Sequence, residues 1–293
     1  MDFALLRDAF WGLTFDGLAL GAIYALISLG YTLVYGVLRL INFAHSEVFM
    51  IGTFSALVAS GIMGVKIEDD PRTGWGMIFT LLICLIAAMI ASAVTAVLVE
   101  IIAYRRLRQR GATKLATLIS AIGVSISLVE AFRILTDSLP REFPRIMDKT
   151  FLFSYAGADV RNDKVIVIIA AGLMMFALER FISKSRYGKG IRAVSMDENT
   201  ATLMGVNINK VITVTFLAGG AMAGAAAFFY MLVYENTSFK VGFFLGISAF
   251  TAAVLGGIGN LKGALFGGFV LGVLETYTSA VFGTAWKAVI SFL

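Results

Sequence analysis

Long apolar runs separated by short charged loops set the pattern of this 293-residue chain. Four uncharged stretches, Gly17–Val37, Gly76–Val99, Val211–Tyr234 and Val241–Leu261, each exceed the ~20 helical residues needed to cross about 30 Å of hydrocarbon. Allowing a polar group or two, eight apolar segments can be drawn: Gly12–Val37, Ile41–Met63, Gly76–Val99, Leu115–Leu135, Val165–Ile182, Val211–Tyr234, Phe243–Ile258 and Ala264–Phe282, with a ninth opening at Ala285. A soluble helix or strand would return to polar residues far sooner. The expectation is an all-α, polytopic helical membrane protein with about eight to nine transmembrane segments, forming a single domain over residues 1–293.

Loop charge orients these segments. Glu100–Lys114 holds five basic residues against one acidic, and Glu179–Lys210 six against three, so both read as cytoplasmic. Gly64–Trp75 and the charge-balanced Asp137–Lys164 read as outer loops. Counting spans puts the N-terminus outside and the C-terminus inside, provided Ile41–Met63 crosses once; a re-entrant first half would invert the N-terminus. The first apolar run is too long for a signal-peptide core and reads as an anchor.

Composition agrees: 59% of residues are hydrophobic, 15% are charged, and mean hydropathy is +0.87. The net charge of +5 sits in the two basic loops rather than on a soluble face, which points to membrane orientation and away from nucleic acid. Cys84 is the single cysteine and His45 the single histidine, so disulfides, metal clusters and Cys/His catalysis lack parts. No G-x-x-x-x-G-K-[ST] phosphate loop occurs, because Lys262 follows Leu261 rather than glycine. No G-x-S-x-G elbow occurs either. No catalytic residue and no metal ligand is assigned.

Glycines recur at four-residue spacing, at Gly17/Gly21, Gly220/Gly224, Gly259/Gly263/Gly267 and Gly268/Gly272, the signature of close helix packing in lipid. Leu33-Val34-Tyr35 and Leu232-Val233-Tyr234 form a faint internal echo, each followed by an interruption and another apolar run.

Intramembrane polar groups are the candidate chemistry. An ionised acid at the bilayer centre costs about 2.5–3.5 kcal/mol on insertion scales and calls for a cavity, a partner or a proton. Asn42, His45 and Glu47 fall within six residues; on a helix, Asn42 and His45 share a face and Glu47 lies to one side. They either line a pathway and pin a broken helix, or cap and snorkel at the cytoplasmic end of the second span. Glu275, twelve residues beyond Gly263, falls well inside the membrane, as an interhelical hydrogen-bonding group or a substrate contact. Glu130 and Arg133 are spaced for a local ion pair.

In the cytoplasmic stretch Ser183–Lys210, Asp197 can cap a short helix that Gly205 ends, with Leu203 and Met204 at helical spacing. Such an amphipathic helix would either offer a knob to a soluble partner or rest on lipid headgroups.

Three blocks together resemble a known family. They are Gly21-Ala22-Ile23-Tyr24-Ala25-Leu26-Ile27-Ser28-Leu29-Gly30-Tyr31 with Ile41-Asn42-Phe43-Ala44-His45-Ser46-Glu47, the stretch Tyr187–Asn207, and Ala253-Val254-Leu255-Gly256-Gly257-Ile258-Gly259-Asn260-Leu261-Lys262-Gly263-Ala264. The chain is similar to the branched-chain amino-acid permease subunits of bacterial ABC importers, although that pattern usually has glycine where Ser46 stands. The resemblance implies an inner-membrane permease without an ATPase site of its own. Its implied partners are a second permease subunit, two cytoplasmic ATP-binding subunits and a periplasmic amino-acid-binding protein, with ATP and Mg confined to the ATPases. It also implies that Tyr187, Gly188, Arg192, Asp197, Glu198, Asn199, Ala201, Leu203, Met204 and Gly205 form the coupling surface. The acidic-Ala-Ala pattern of that loop is incomplete, since matching on Gly205 places Asn199-Thr200-Ala201 there unless Glu198 substitutes. An ion-gradient-driven amino-acid transporter, or an ABC permease for urea, amides or sugars, remain the alternative readings.

Overall fold

The computed structural model describes residues 9–155 and 158–292; the reading that no signal peptide precedes the first span concerns a segment partly outside them. Its helices are α1 (Phe10–Leu38), α2 (His45–Ile62), α3 (Gly74–Gln109), α4 (Lys114–Leu135), α5 (Asn162–Lys184), α6 (Arg186–Met196), α7 (Glu198–Leu203), α8 (Ile208–Tyr234), α9 (Val241–Leu255), α10 (Leu261–Phe282) and α11 (Lys287–Phe292). Seven of them are long and apolar enough to cross a membrane, and the shorter α9 is apolar throughout. The eight expected segments thus correspond to eight helices. Beyond the helices, the described residues hold two antiparallel ribbons: β1 (Arg141–Glu142) pairs with β4 (Asn236–Thr237), and β2 (Phe151–Tyr155) with β3 (Ala158–Arg161).

The two ends of the bundle follow the loop charges. At the basic end, Arg108 of α3 donates to Asn209 and Arg105 to Thr213, both on the first turns of α8, while Lys262 of α10 pairs with Glu179 of α5. At the opposite end, Lys164 pairs with Asp16 near the start of α1, and Arg72 donates to the carbonyl of Met63. The segment opening at Ala285 is described only as the six-residue α11, whose Ser291 hydrogen-bonds Ser248 of α9.

Glycine builds the seams between the long helices. A Cβ on Gly268 would lie 2.5 Å from the Ala25 nitrogen, and one on Gly21 2.7 Å from the Phe269 Cα, so α1 and α10 touch backbone to backbone. Gly220 and Gly224 of α8 meet α3 in the same manner at Ser92, Ala93 and Ala88. Gly259 departs from the expected spacing: with φ of 98° it lies in the α9–α10 loop and takes no part in a helix seam.

These paired seams belong to an inverted repeat. α1 runs toward the basic end and finishes on Arg39 in the left-handed region (φ 51°); α8 runs the other way and finishes on Glu235 (φ 55°). After each comes a short connector and then a helix, α2 or α9, that begins inside the bundle with no side-chain cap. The third members are crossed over, α10 against α1 and α3 against α8. The three-residue echo in the sequence is out of register with this repeat, since Tyr35 lies four residues before Arg39 whereas Tyr234 directly precedes Glu235.

Candidate functional site

The expected segment Ile41–Met63 holds one candidate span, but its helix starts later than the apolar pattern indicates. The helix begins only at His45, so Asn42 stands in the connector and shares no helix face with it. His45 packs against Gly30, whose missing Cβ makes the room, and its ring lies 4.7 Å from that of Tyr31. Gly30 precedes the end of α1 by eight residues, about 12 Å of helix, which sets the depth at which α2 begins. Asn42 is buried and accepts from the Tyr104 hydroxyl at 3.0 Å. Neither Asn42 nor His45 borders a cavity described here.

Glu47 does. Its side chain is wholly buried, with Oε1 accepting from Ser46 at 3.1 Å and from Ser125 of α4 at 3.2 Å. Oε2 has no hydrogen-bond partner among the described residues. The carboxylate lies against the first turn of α9, where a Cβ on Gly242 would fall 2.9 Å from Oε2. The first turns of two helices, α2 and α9, therefore meet at one acid. A cavity of about 690 Å³ opens beside it, bordered by Tyr31, Ser46, Ser125, Lys240 and the aromatic rings of Phe243 and Phe244.

Glu275 borders a second cavity, of about 550 Å³, with Tyr24, Ser248 and Lys287. It too is buried with one oxygen, Oε2, unpartnered among the described residues. Phe243, Phe244 and Ile247 of α9 border both cavities and form the partition between them. Tyr24 and Tyr31 lie seven residues apart on α1, which places the second cavity about 10 Å nearer the outer end. Glu130 pairs with Arg133 at 2.6 Å, as their spacing indicates, and Glu130 lies at the rim of the first cavity.

At the basic end, α6 and α7 form a helix pair outside the bundle. Asp197 caps α7 by accepting from the Asn199 and Thr200 amides at 2.9 and 3.3 Å; the Thr200 hydroxyl also donates to it, and these bonds hold its carboxyl below the usual range. Gly205, with φ of 81°, ends the turn. Met196, Leu203 and Met204 stand at least 80% exposed, an apolar tip that neither the bundle nor the loop covers.

The whole chain, and not these sites alone, can be set against known proteins. Residues 13–293 match the family described as the permease component of the branched-chain amino acid transport system. The chain belongs to this family. It is 39% identical over 280 residues to the high-affinity branched-chain amino acid transport system permease protein BraD of Pseudomonas aeruginosa, a match covering 94% of this chain and 89% of BraD. It is 37% identical to the corresponding protein LivH of Escherichia coli, over 95% of this chain and 89% of LivH. Its fold is similar to that of an inward-facing metal-chelate type ABC transporter structure, with a TM-score of 0.51 and 13% identity over 99% of this chain and 88% of that one.

In this permease the ten positions set aside as a coupling surface divide by geometry. Tyr187, Glu198, Asn199, Leu203 and Met204 are exposed on α6, α7 and the turn after them. Gly188 and Ala201 are buried, Asp197 and Gly205 shape the ends of α7, and Arg192 reaches back to the Ile182 carbonyl at 2.7 Å. Reasoning from sequence missed Ser125, Lys240 and the Phe243–Phe244 pair. Ser125 is one serine among many, and nothing local announces that α4 brings it to Glu47. The start of α9 lies in the uncharged Val241–Leu261 run, which reads as an ordinary span.

Proposed function

We propose that this permease is the membrane-spanning subunit of an ATP-driven bacterial importer of branched-chain amino acids, lying in the inner membrane. The supporting observation is identity of 37–39% over at least 94% of the chain to relatives named as permease proteins of high-affinity branched-chain amino acid transport systems. The subunit works as one domain beside a second permease subunit and performs no chemistry of its own. Two cytoplasmic ATPases, which carry the ATP and Mg, act on α6 and α7, and a periplasmic binding protein delivers the amino acid at the opposite end. The exposed apolar tip at Met196, Leu203 and Met204 supports that reading of the cytoplasmic face, since an apolar patch left uncovered by the chain's own core is a common mark of a docking surface.

Reconstitution tests it. Proteoliposomes holding the permease, its ATPases and its binding protein are expected to accumulate leucine only with internal ATP. Accumulation by the permease alone, driven by a proton or sodium gradient, would overturn the proposal in favour of a secondary transporter.

A further inference from the structure

The acid at the meeting of the two buried helix starts is not spent on any cation of the chain. Among the described residues Glu47 has no ion-pair partner, and one of its oxygens has no hydrogen bond. A buried polar atom left unpaired is costly, and buried carboxylates are ordinarily paired. The adjoining cavity falls within the size range of small-molecule sites and is bordered chiefly by aromatic and aliphatic groups. Lys240, at its edge, lies 5.3 Å from the Phe239 ring centroid and has no ion-pair partner among the described residues.

Each feature narrows the occupant. A bare metal cation would need several oxygen ligands, and the described residues hold no group of acids, His or Cys that could supply them. A sugar would need many polar partners, where this lining, beyond Glu47, Lys240 and the Glu130 already paired with Arg133, offers Tyr31, Ser46 and Ser125. A buried carboxyl group with an unpartnered oxygen, a lysine at the cavity edge and an apolar wall beside them, with Glu130 at the rim already paired to Arg133, match a zwitterion carrying an aliphatic side chain.

Resting on the importer reading above, we propose that this cavity is a binding station for a small aliphatic α-amino acid within the permease itself. Glu47 receives the ammonium group, Lys240 the carboxylate, and Phe243, Phe244 and Ile126 the side chain. The substrate is thereby recognised a second time, after the protein that delivers it.

The test uses the complete complex of permease and ATPase subunits in nanodiscs, without binding protein. Cys84 is the single cysteine of this chain and is buried, so Ile126→Cys in a Cys84→Ser background, with labelling read on this subunit after separation, gives one reporter on the cavity wall. Its modification by a charged methanethiosulfonate is timed with leucine, with 4-methylpentanoate (no ammonium) and with isopentylamine (no carboxylate). Leucine is expected to slow labelling about fivefold or more at saturation, and each half-molecule far less. Glu47→Gln is expected to weaken leucine protection about 10–100-fold, the loss of one charge-assisted contact, with Glu47→Asp intermediate. Protection by leucine that is absent, or that 4-methylpentanoate equals, or that survives Glu47→Gln unchanged, overturns the station. Should Glu47→Gln fail to assemble, the half-molecule pattern on the parent reporter decides. ATP-driven leucine uptake by the complete importer, measured alongside, separates the two readings: uptake without protection sinks the station alone, and no uptake sinks the importer.

Discussion

Arg39, the left-handed residue that ends α1, donates to the backbone carbonyls of Ser195 at 3.0 Å and Met196 at 3.3 Å. A membrane helix is thus tied directly to the last turn of α6, next to the capped start of α7. If force on the cytoplasmic pair reaches the bundle, this tie is one route. Arg39→Ala is expected to retain ATP hydrolysis in the assembled importer while lowering leucine uptake up to about tenfold, the scale of one or two hydrogen bonds. The ratio of leucine transported to ATP hydrolysed measures it, and an unchanged ratio removes Arg39 from the coupling route.

The backbone seams give a stability contrast within one residue type. Gly268→Ala puts a methyl group into the Ala25 backbone and is expected to cost about 1–3 kcal/mol, the usual penalty for overpacking. Gly123→Ala and Gly172→Ala, where a Cβ meets nothing within 4 Å, are expected to be neutral or to gain up to about 1 kcal/mol from helix propensity. Thermal unfolding in detergent, followed by size-exclusion fluorescence, compares the three variants.

Much of the fold was legible in the sequence because lipid leaves few options: an apolar run of sufficient length must be helical, and basic loops must collect at one end. Gly17/Gly21 and Gly268/Gly272 announced seams, though not with whom each would pair. Glu47 and Glu275 were legible as misfits, since carboxylates inside apolar runs demand compensation. The depth at which α2 and α9 begin was not legible. It depends on Gly30 admitting His45 from the next helix and on Gly242 admitting the Ser46 carbonyl from a segment far away in sequence. For that reason the apolar pattern draws Asn42 into a helix it does not join.

At the basic end, Glu100 is wholly buried in the π-helical turn Glu100–Arg105 of α3 and pairs with Arg105 and Arg108. Both arginines keep about a quarter of their side chains in solvent, which moderates the loss if the acid is removed. Glu100→Ala is expected to destabilise the protein by about 1–3 kcal/mol, below the full penalty for breaking a deeply buried pair. Unfolding midpoints of Glu100→Ala and Arg105→Ala, with the double variant, give the coupling; strictly additive losses would show that no pair energy exists.

Glu235 supplies a pH dependence at the outer end. Burial pushes its carboxyl up, but hydrogen bonds from Arg145 and Lys149 outweigh that and hold it below the usual range. A depressed carboxylate contributes stability that is complete above the unfolded value, near pH 4.3, and is lost as pH falls through the lower folded value. With the pair partly exposed, the contribution is expected to be at most about 1 kcal/mol. Comparing unfolding midpoints of the parent and Glu235→Gln between pH 7 and pH 3 checks it: the parent should lose its advantage on acidification.

The exposed tip of the cytoplasmic pair offers a test of docking separate from transport. Leu203→Asp with Met204→Asp, both at least 80% exposed, should leave the permease's own unfolding within about 0.5 kcal/mol of the parent. The same double change is expected to abolish co-purification with the ATPases. Undiminished co-purification would place the docking surface elsewhere.

Where α1 meets α10 and α3 meets α8, glycines bring backbone against backbone and leave few side chains to absorb a displacement. Each pair is therefore expected to shift as a single rod. Compliance is then expected in the pieces least enclosed by the bundle, chief among them α4, whose most apolar window is only 11% buried. A crosslink inside either seam would leave such a machine running, whereas one that staples α4 to its neighbours would stall it.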